Sequence, residues 1–438
     1  MSRKVRNLPV FLEGGLILFL GVFLFASCAS FAQKTHKFRA SMESGGYDRA
    51  LLELEQNGDI NNDKNRVLYL LDKGMILHLA GRYEESNKVF ELAERQSEEY
   101  WATSVSEEVA SMLTSDDIKA YPGEDFERVL ILIYRAMNYL AMDSLEDALV
   151  ECRQVDIKLN EINQKYGKNK NVYREDAFAR WLSGIIYEAE GDFNNAVISY
   201  RKAIGIYKKD YLPNYRTNIP AQLIKDYLGA LKAEGLSDEL ERAKRAYLQF
   251  GEAEPPPKDM GEVVLIYQNG RSPHKIEQFL IIPVDNTVIK LAFPEYRRSH
   301  YFLRNIRIRS GDFSAQGELA EDITEIAIKN LKDRAGRTML KMAARAATKV
   351  ALKKAADKAH PLLGLLTNVA NVATEKADTR SWLSLPAEFN ITRLQLPPGE
   401  RELTIEYLGG GGAVYMSQKI KVKIEAGKKV FITRRTWN

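Results

Sequence analysis

The sequence predicts a multidomain α + β fold: an N-terminal α-solenoid of helical repeats, followed by a small β-sandwich-like domain that carries a helical insert. Between residues 33 and 252, small and aromatic residues recur at helical spacing, which indicates repeated helical pairs. Alternating and β-branched runs then predict strands within 261–438. Three consecutive prolines at 255–257 separate the two patterns, so 253–260 is predicted to be a linker.

The first 27 residues have the pattern of an export signal. Arg3, Lys4 and Arg6 precede an apolar run, Leu16–Phe25, of ten residues. A helix needs about 20 residues to cross a bilayer, so a spanning anchor is the weaker interpretation. The segment 24–28, Leu-Phe-Ala-Ser-Cys, resembles the bacterial lipobox, which implies cleavage before Cys28 and acylation of its sulfur by palmitate-like chains.

Lipidation at Cys28 predicts a chain anchored to a membrane through residues 28–32, because two or three acyl chains bind bilayers stably. Ala29 follows the cysteine, and the aspartate that retains such proteins at the inner membrane is absent. In a Gram-negative source, the resemblance implies the outer membrane, facing the periplasm.

The bulk composition excludes two broad classes of protein. Hydrophobic residues make up 45% and charged residues 28%, which is typical of folded soluble proteins and not of disordered or multi-span chains. A net charge of +4 gives no indication of nucleic-acid binding. Cys152 is the other cysteine, so a lipidated Cys28 leaves no intramolecular disulfide.

Three units carry the spacing of a tetratricopeptide repeat, in which small residues lie where antiparallel helices cross and aromatic residues fill the space between units. The best match comprises Gly184, Tyr187, Gly191, Phe193, Ala196, Tyr200 and Ala203. The second comprises Gly74, Leu77, Gly81, Tyr83, Ser86, Phe90 and Ala93, and the third Ala136, Tyr139, Asp143, Leu145, Ala148, Cys152 and Val155. Weaker units begin near Gly45 and Leu231, which gives five in total.

The second half of the chain predicts two groups of strands on either side of a helical insert at about 315–380. The strands are predicted at Glu262–Gln268, Phe279–Val284, Thr287–Ala292, Asn305–Arg309, Phe389–Leu396, Glu402–Tyr407, Met416–Ile424 and Lys429–Arg434. The simplest arrangement places both groups in one sandwich. Two unrelated halves are the alternative.

Basic residues recur every four positions in the predicted insert, which places them along one side of a helix. They are Arg337, Lys341, Arg345, Lys349 and Lys353. The functional interpretation is contact with an anionic surface, either lipid headgroups or cell-wall polymer. The alternatives are a solvated face or pairing with the acids Glu318, Glu321, Asp322 and Glu325.

The sequence offers no motif for catalysis, for a metal site or for a cofactor. The five histidines, at 36, 78, 274, 300 and 360, are far apart and lack the spacing of a zinc site. The glycine run 409–412 lacks the following helix and lysine of a phosphate loop and is predicted to be a hairpin tip. Cys152 occupies a packing position and is predicted to be buried. We therefore predict a protein that is not an enzyme.

Residues 371–386, Asn-Val-Ala-Thr-Glu-Lys-Ala-Asp-Thr-Arg-Ser-Trp-Leu-Ser-Leu-Pro, resemble the signature of an uncharacterised family of bacterial tetratricopeptide lipoproteins. The family has no established activity; its members are often encoded beside lipoproteins that activate peptidoglycan synthesis, which implies envelope assembly by association. Within the signature, Asp378, Thr379, Arg380 and Trp382 are not dictated by helix or strand periodicity. We expect Asp378 and Arg380 to pair while the indole packs against the sheet; a partner-binding hot spot is the alternative.

Together these features predict a membrane-anchored periplasmic scaffold whose repeat groove binds an extended peptide or helix of an envelope protein. Two alternatives remain open: a cell-wall or glycan enzyme with an unrecognised site, and a structural lipoprotein that bridges membrane and cell wall. The sequence identifies neither the partner nor the oligomeric state.

Overall fold

The computed structural model describes residues 30–106, 118–166, 172–251, 253–284, 287–336, 339, 348 and 376–438. Several sequence predictions lie outside these residues: the signal peptide with Cys28, residues 371–375 of the family signature, and the basic residues Arg337, Lys341, Arg345, Lys349 and Lys353. None of the helices within the described ranges combines the length and hydropathy of a membrane span.

Within the described ranges, five helical hairpins, named repeats 1 to 5, follow the short helix Phe31–Lys34, in agreement with the five predicted units. Their helices are His36–Glu43 with Tyr47–Glu55, Arg66–Leu79 with Tyr83–Ser106, Asp125–Ala141 with Leu145–Lys165, Ala177–Ala189 with Phe193–Ile206, and Ala221–Ala233 with Ser237–Ala246. A π-helical turn, Tyr207–Tyr211, and the helix Leu212–Tyr215 separate the last two.

Each hairpin turns through a residue with a positive φ angle. These residues are Gly45, Gly81, Asp143, Gly191 and Gly235, with φ between 60° and 81°. Glycine adopts this left-handed conformation without steric cost, and aspartate tolerates it better than most residues. The regular recurrence of glycine in the sequence therefore encodes the turn of each repeat.

Glycine at the helix crossing allows close contact within a repeat. A Cβ atom on Gly184 would lie 2.2 Å from Cε1 of Tyr200, and one on Gly74 would lie 2.6 Å from Cε1 of Phe90. The aromatic ring of the second helix thus lies directly on the glycine of the first. Among the other predicted packing residues, Ala136, Ala148, Ala196 and Ala203 are fully buried, whereas Tyr83, Tyr187 and Phe193 are half-buried.

We expect Gly184→Ala to destabilise the protein by about 1–3 kcal/mol, because the added methyl overpacks the contact with Tyr200. Gly205 provides a matched control: it also lies in a helix of repeat 4, but its added Cβ would meet no atom within 4 Å. Gly205→Ala should raise stability by up to about 1 kcal/mol through helix propensity. Chemical denaturation of both variants measures the difference, and equal effects would contradict the crossing geometry.

The described residues after the repeats contain ten strands, two of which were not predicted. They are β1 Gly261–Asn269, β2 His274–Val284, β3 Thr287–Arg297, β4 Asn305–Ser310, β5 Phe313–Gln316, β6 Glu318–Asp322, β7 Glu388–Leu396, β8 Gly399–Leu408, β9 Val414–Ile424 and β10 Lys429–Arg435. The predicted start of the helical insert at 315 is wrong, since β5 and β6 occupy 313–322 and helix begins only at 323. Both strands are short and rich in polar residues, so their sequences show no alternating apolar pattern.

Two four-stranded sheets stack face to face, with strand orders β10-β1-β7-β6 and β5-β4-β8-β9, while β2 and β3 form a separate hairpin. Because successive residues of a strand point to opposite faces, β1 contributes to two layers. Val263 and Leu265 pack against residues of the second sheet, such as Ile405. Val264 and Ile266 belong instead to the core of the helical repeats. The sheet of β1 is therefore buried on both faces.

The hydrophobic core continues from the repeats into the sandwich. One cluster of buried residues includes Trp181 and Tyr200 of repeat 4 together with Ile266, Phe389 and Ile391 of the sheet. The predicted linker at 253–260 carries the chain from helix to strand without interrupting this core.

Candidate functional site: the groove of the helical repeats

The first helices of repeats 2 to 5 form one face, here named the repeat groove, which the sequence predicts to be the partner-binding site. The structure shows that the groove is filled by the chain's own sheet. Phe389 of β7 stacks on Phe178 of repeat 4 at a ring separation of 4.9 Å. The prediction that the groove is open to an external peptide is therefore wrong. The signal was present in the sequence: Val263–Tyr267 are five consecutive apolar residues, which is typical of a strand buried on both faces.

Trp382 of the predicted signature lies in this groove rather than against the sheet. Its indole packs on Phe90 of repeat 2 and Tyr134 of repeat 3, at ring separations of 5.8 and 5.6 Å. The backbone N–H of Trp382 donates to Oε1 of the buried Glu127 at 2.6 Å. The indole thus joins two repeats to the segment that precedes β7.

The expected pair between Asp378 and Arg380 is present in the structure. Two guanidinium nitrogens of Arg380 donate to the Asp378 carboxylate at 2.9 and 2.7 Å, and Nη1 also donates to Oδ1 of Asn65 at 3.0 Å. Burial opposes ionisation of Asp378, but Arg380 outweighs it and lowers the pKa of the carboxyl. Thr379 between them is half-buried. The pair therefore connects the signature to Asn65, the residue before the first helix of repeat 2.

A second buried charge cluster, which the sequence analysis missed, joins β7 to repeats 4 and 5. Arg393 contacts Glu188 at 2.5 Å, Glu262 at 2.7 Å and Asp226 at 2.9 Å. Lys429 of β10 contacts Glu188 at 2.7 Å and also pairs with Glu262. Three carboxylates and two cations therefore meet away from water, with residues from two repeats and three strands.

The electrostatics of this cluster follow from burial and from the two cations. Burial alone would raise the pKa of Glu188, but Arg393 and Lys429 outweigh it and lower that pKa to about 2. For Asp226 the effect of burial, which raises the pKa, is larger than that of Arg393, which lowers it, and the pKa is about 6. The indole N–H of Trp181 donates to Asp226 at 2.8 Å, so the hydrogen bond persists in either protonation state of the carboxyl.

A pair of buried carboxyl groups forms a third contact between the repeats and the sheet. Asp176, which caps the first helix of repeat 4, and Glu321 of β6 are both buried and influence each other's ionisation. Burial and the nearby Asp176 raise the pKa of Glu321 well above its usual value. Tyr173 donates to Asp176 at 2.6 Å, and Tyr207 donates to the carbonyl of Ala320 at 2.6 Å. Burial therefore favours the neutral form of the Glu321 carboxyl.

The carboxyl pair predicts a stability that falls as pH rises. The folded-state pKa of Glu321 lies above the unfolded value of 4.5, so its contribution is complete below that pH and is lost as pH rises toward the folded pKa. Glu321→Gln cannot ionise. We compare the free energy of unfolding of wild type with that of Glu321→Gln. The wild-type value minus the variant value should fall by up to about 1.4 kcal/mol per pH unit above pH 4.5.

Urea denaturation between pH 5 and pH 9 measures this difference. The exposed Glu234→Gln serves as the control and should follow the wild-type curve. A Glu321→Gln curve parallel to wild type at every pH would show that Glu321 is ionised in the folded protein.

Polar residues of the groove also bind the sheet or its flanking segment. His78 of repeat 2 contacts Oδ1 of Asn138 at 2.6 Å and Nε2 of Gln268 at 3.0 Å, and Tyr134 donates to Gln268 at 2.8 Å. Burial lowers the pKa of His78 to about 4, so the ring is neutral at pH 7. Ser384 donates to Asp72 at 2.6 Å. These side chains, which an open groove would present to a partner, are satisfied within the chain.

The acids proposed to pair with the basic stripe have other partners. Glu325 pairs with Arg298, and Asp322 accepts the backbone N–H of Glu325 at 2.9 Å. Glu318 accepts the backbone N–H of Gln222 at 3.2 Å, and Glu321 accepts the hydroxyl of Tyr211 at 3.5 Å. The five bases of the stripe lie outside the described residues, so their pairing with these acids stays a prediction.

Two of the predictions about metal and thiol chemistry can be compared with the described residues. Across the ranges given above, no group of three or more His, Cys, Asp or Glu side chains is arranged to hold a metal ion. Cys152 is buried, as predicted, and burial raises the pKa of its thiol to about 12, so the thiol stays protonated.

Comparison with known proteins gives structural likeness without a family. No family model matches the chain, and no curated protein matches it. A putative kinesin light chain from Podosopora anserina with nearly identical TPR-like repeats is 16% identical; the match covers 50% of this chain and 92% of that chain, with a TM-score of 0.32. MamA is 15% identical over 50% of this chain and 93% of its own, with a TM-score of 0.31. The family resemblance of residues 371–386 stays a prediction.

Proposed function

We propose that the chain is a membrane-anchored scaffold lipoprotein of the cell envelope, which binds partner proteins through its repeats and takes part in envelope or peptidoglycan assembly. The lipobox-like segment that ends at Cys28 supports anchoring. The filled groove directs the partner to the outside of the solenoid, formed by the second helix of each repeat. In this proposal the chain performs no catalysis.

One repeated feature of the outer helices carries the proposal. Leu52, Val150 and Ile198 each lie two residues after a buried alanine of the second helix, and each is exposed. Stacked repeats place equivalent positions side by side, so Val150 and Ile198 of the adjacent repeats 3 and 4 are neighbours, whereas the exposed Lys88 of repeat 2 separates them from Leu52 of repeat 1. Exposed apolar surface of this kind is typical of protein interfaces.

Site-specific photo-crosslinking in intact cells tests the binding surface. A photoreactive residue at Leu52, Val150 or Ile198 should give crosslinks to the same envelope protein. The control places it at Lys421, which is exposed on β9. Crosslinks of equal strength from Lys421, or none from the three repeat positions, would contradict an outer binding face.

Acyl labelling tests the anchor independently. We expect Cys28→Ala to lose incorporation of an acyl-chain analogue, because this sulfur is the proposed attachment point. Cys152→Ala is the matched control and should keep full label, since Cys152 is buried in repeat 3. Equal label in wild type and Cys28→Ala would refute the anchor.

A further inference from the structure

The hairpin of β2 and β3 presents apolar side chains on both of its faces. Within the described part of the chain, these two strands pair only with each other. Phe279, Leu280 and Ile281 are consecutive residues of β2 and are 53%, 47% and 61% exposed. Because consecutive residues alternate between faces, neither side of the ribbon is polar here. The chain itself buries part of β3, since Leu291 and Ala292 are 8% and 6% exposed, but it leaves these three side chains of β2 uncovered.

The outer half of the hairpin carries little charge. Residues 279–284 are Phe-Leu-Ile-Ile-Pro-Val, and 287–293 are Thr-Val-Ile-Lys-Leu-Ala-Phe. The one charged residue of these two runs, Lys290, donates to Glu277 at 2.8 Å and lies over the ring of Phe279 at 4.9 Å. Its charge is therefore partly neutralised on the hairpin itself.

The base of the hairpin lies near the beginning of the described chain. Arg271, three residues before β2, forms a two-pronged contact with Glu43 of repeat 1 at 2.9 and 2.7 Å. Ser30 precedes Glu43 by 13 residues, which is a distance of about 20 Å at helical rise. Cys28, the proposed lipid attachment point, comes two residues before Ser30.

The segment that contains the predicted basic stripe also leaves and returns at this base. Arg334, near its start, pairs with Glu124, and Glu124 in turn pairs with Lys275 of β2. On its return, the backbone N–H of Ala377 donates to Glu277 of β2 at 2.9 Å. The sequence between these points contains the five predicted bases, so a strongly cationic stretch begins and ends beside the apolar ribbon.

We propose that the β2–β3 hairpin is a second membrane contact, which inserts shallowly into an anionic phospholipid bilayer. This proposal rests on the proposed function, because it uses the lipid at Cys28 to bring the hairpin to the membrane. Insertion is shallow, since the outer edges of a two-stranded ribbon carry backbone groups that must stay within reach of headgroups and water. Exposed apolar side chains of this kind suit an interfacial element, and the cationic sequence that follows Arg334 favours anionic lipid.

Vesicle binding of a chain that cannot be lipidated tests the hairpin by itself. The chain begins at residue 28 with Cys28→Ala and carries the fluorophore NBD on Ile281→Cys. The control carries it on Leu248→Cys, which is 75% exposed and lies after repeat 5, at the other end of the solenoid. With vesicles of phosphatidylglycerol and phosphatidylethanolamine, emission at position 281 should shift to the blue and rise at least twofold, while position 248 stays unchanged.

Phe279→Asp combined with Ile281→Asp should reduce vesicle co-sedimentation at least tenfold without changing the melting temperature, because both side chains are exposed. Three results would overturn the proposal. The first is an unchanged emission at position 281 when vesicles are added. The other two are blue-shifted emission without vesicles, either increasing with protein concentration or the same at every protein concentration. The second would assign the hairpin to a second copy of the chain and the third to cover by its own chain. Acyl labelling at Cys28 reports on the anchor separately, so failure of the hairpin is distinguishable from failure of the anchor.

Discussion

Arg393→Met should destabilise the protein by about 3–5 kcal/mol, the effect expected when one partner of a buried charge network is removed. Arg393 is the cation that contacts Glu188, Asp226 and Glu262 together, and all four side chains are almost completely buried. Without the guanidinium, Lys429 remains beside Glu188 and Glu262, while Asp226 loses the cation that it contacts. At least one of the three carboxyl groups must then take up a proton or remain buried with an uncompensated charge.

The matched control for this change is Lys419→Met on β9. Lys419 pairs with Glu402 at 2.8 Å, but both side chains are mostly exposed. Exposed pairs contribute about 0–1 kcal/mol, so this variant should unfold close to wild type. Guanidinium denaturation of both variants at pH 7 measures the difference. A loss below about 1 kcal/mol for Arg393→Met would mean that water or a rearranged side chain replaces the guanidinium.

A double-mutant cycle separates the charge effect from the loss of packing. Adding Glu262→Gln to Arg393→Met removes one of the carboxylates that the guanidinium leaves behind. We expect the double variant to lose less stability than the sum of the two single changes, with a coupling of about 0.5–3 kcal/mol. Strict additivity would place the cost of Arg393→Met in packing instead of in charge.

The repeats were predictable because their determinants are local. Gly184 and Tyr200 are 16 residues apart, and the turn at Gly191 lies between them, so one stretch of sequence contains the whole unit. Most strands were predictable for the same reason, since an alternating or a continuous apolar run is contained within a single strand. β5 and β6 were missed because runs of four and five residues are too short to show that period.

The contacts that fill the groove are not local, and no single-sequence periodicity reports them. Arg393 lies 205 residues from Glu188, and Lys275 lies 151 residues from Glu124. In the sequence each of these residues is indistinguishable from an ordinary surface charge on a helix or a strand. The feature that is visible in the sequence is the apolar run of β1, which indicates a strand that is buried on both faces. That run predicts that the sheet lies between two layers, but it does not reveal that the second layer is the repeat groove.

The shared core predicts that the two halves of the chain cannot fold apart. A protease site placed at the exposed Lys258 and Asp259 should allow the linker to be cut in the folded protein without dissociation of the fragments. The fragments should co-elute in gel filtration at the size of the intact chain. Each fragment, refolded alone, should lack a cooperative melting transition, because the repeats would expose Tyr134 and the sheet would expose Phe389 to water.

Mixing the two denatured fragments before refolding should restore the transition, since each supplies the apolar face and the charges that the other lacks. Arg393→Met in the sheet fragment should weaken this reassociation, whereas Lys419→Met should not. A repeat fragment that melts cooperatively alone, at a temperature near that of the whole chain, would show that the groove is stable when empty. An empty, stable groove would be available to a partner in exchange for the sheet, and the outer helices would then no longer be required as the binding face.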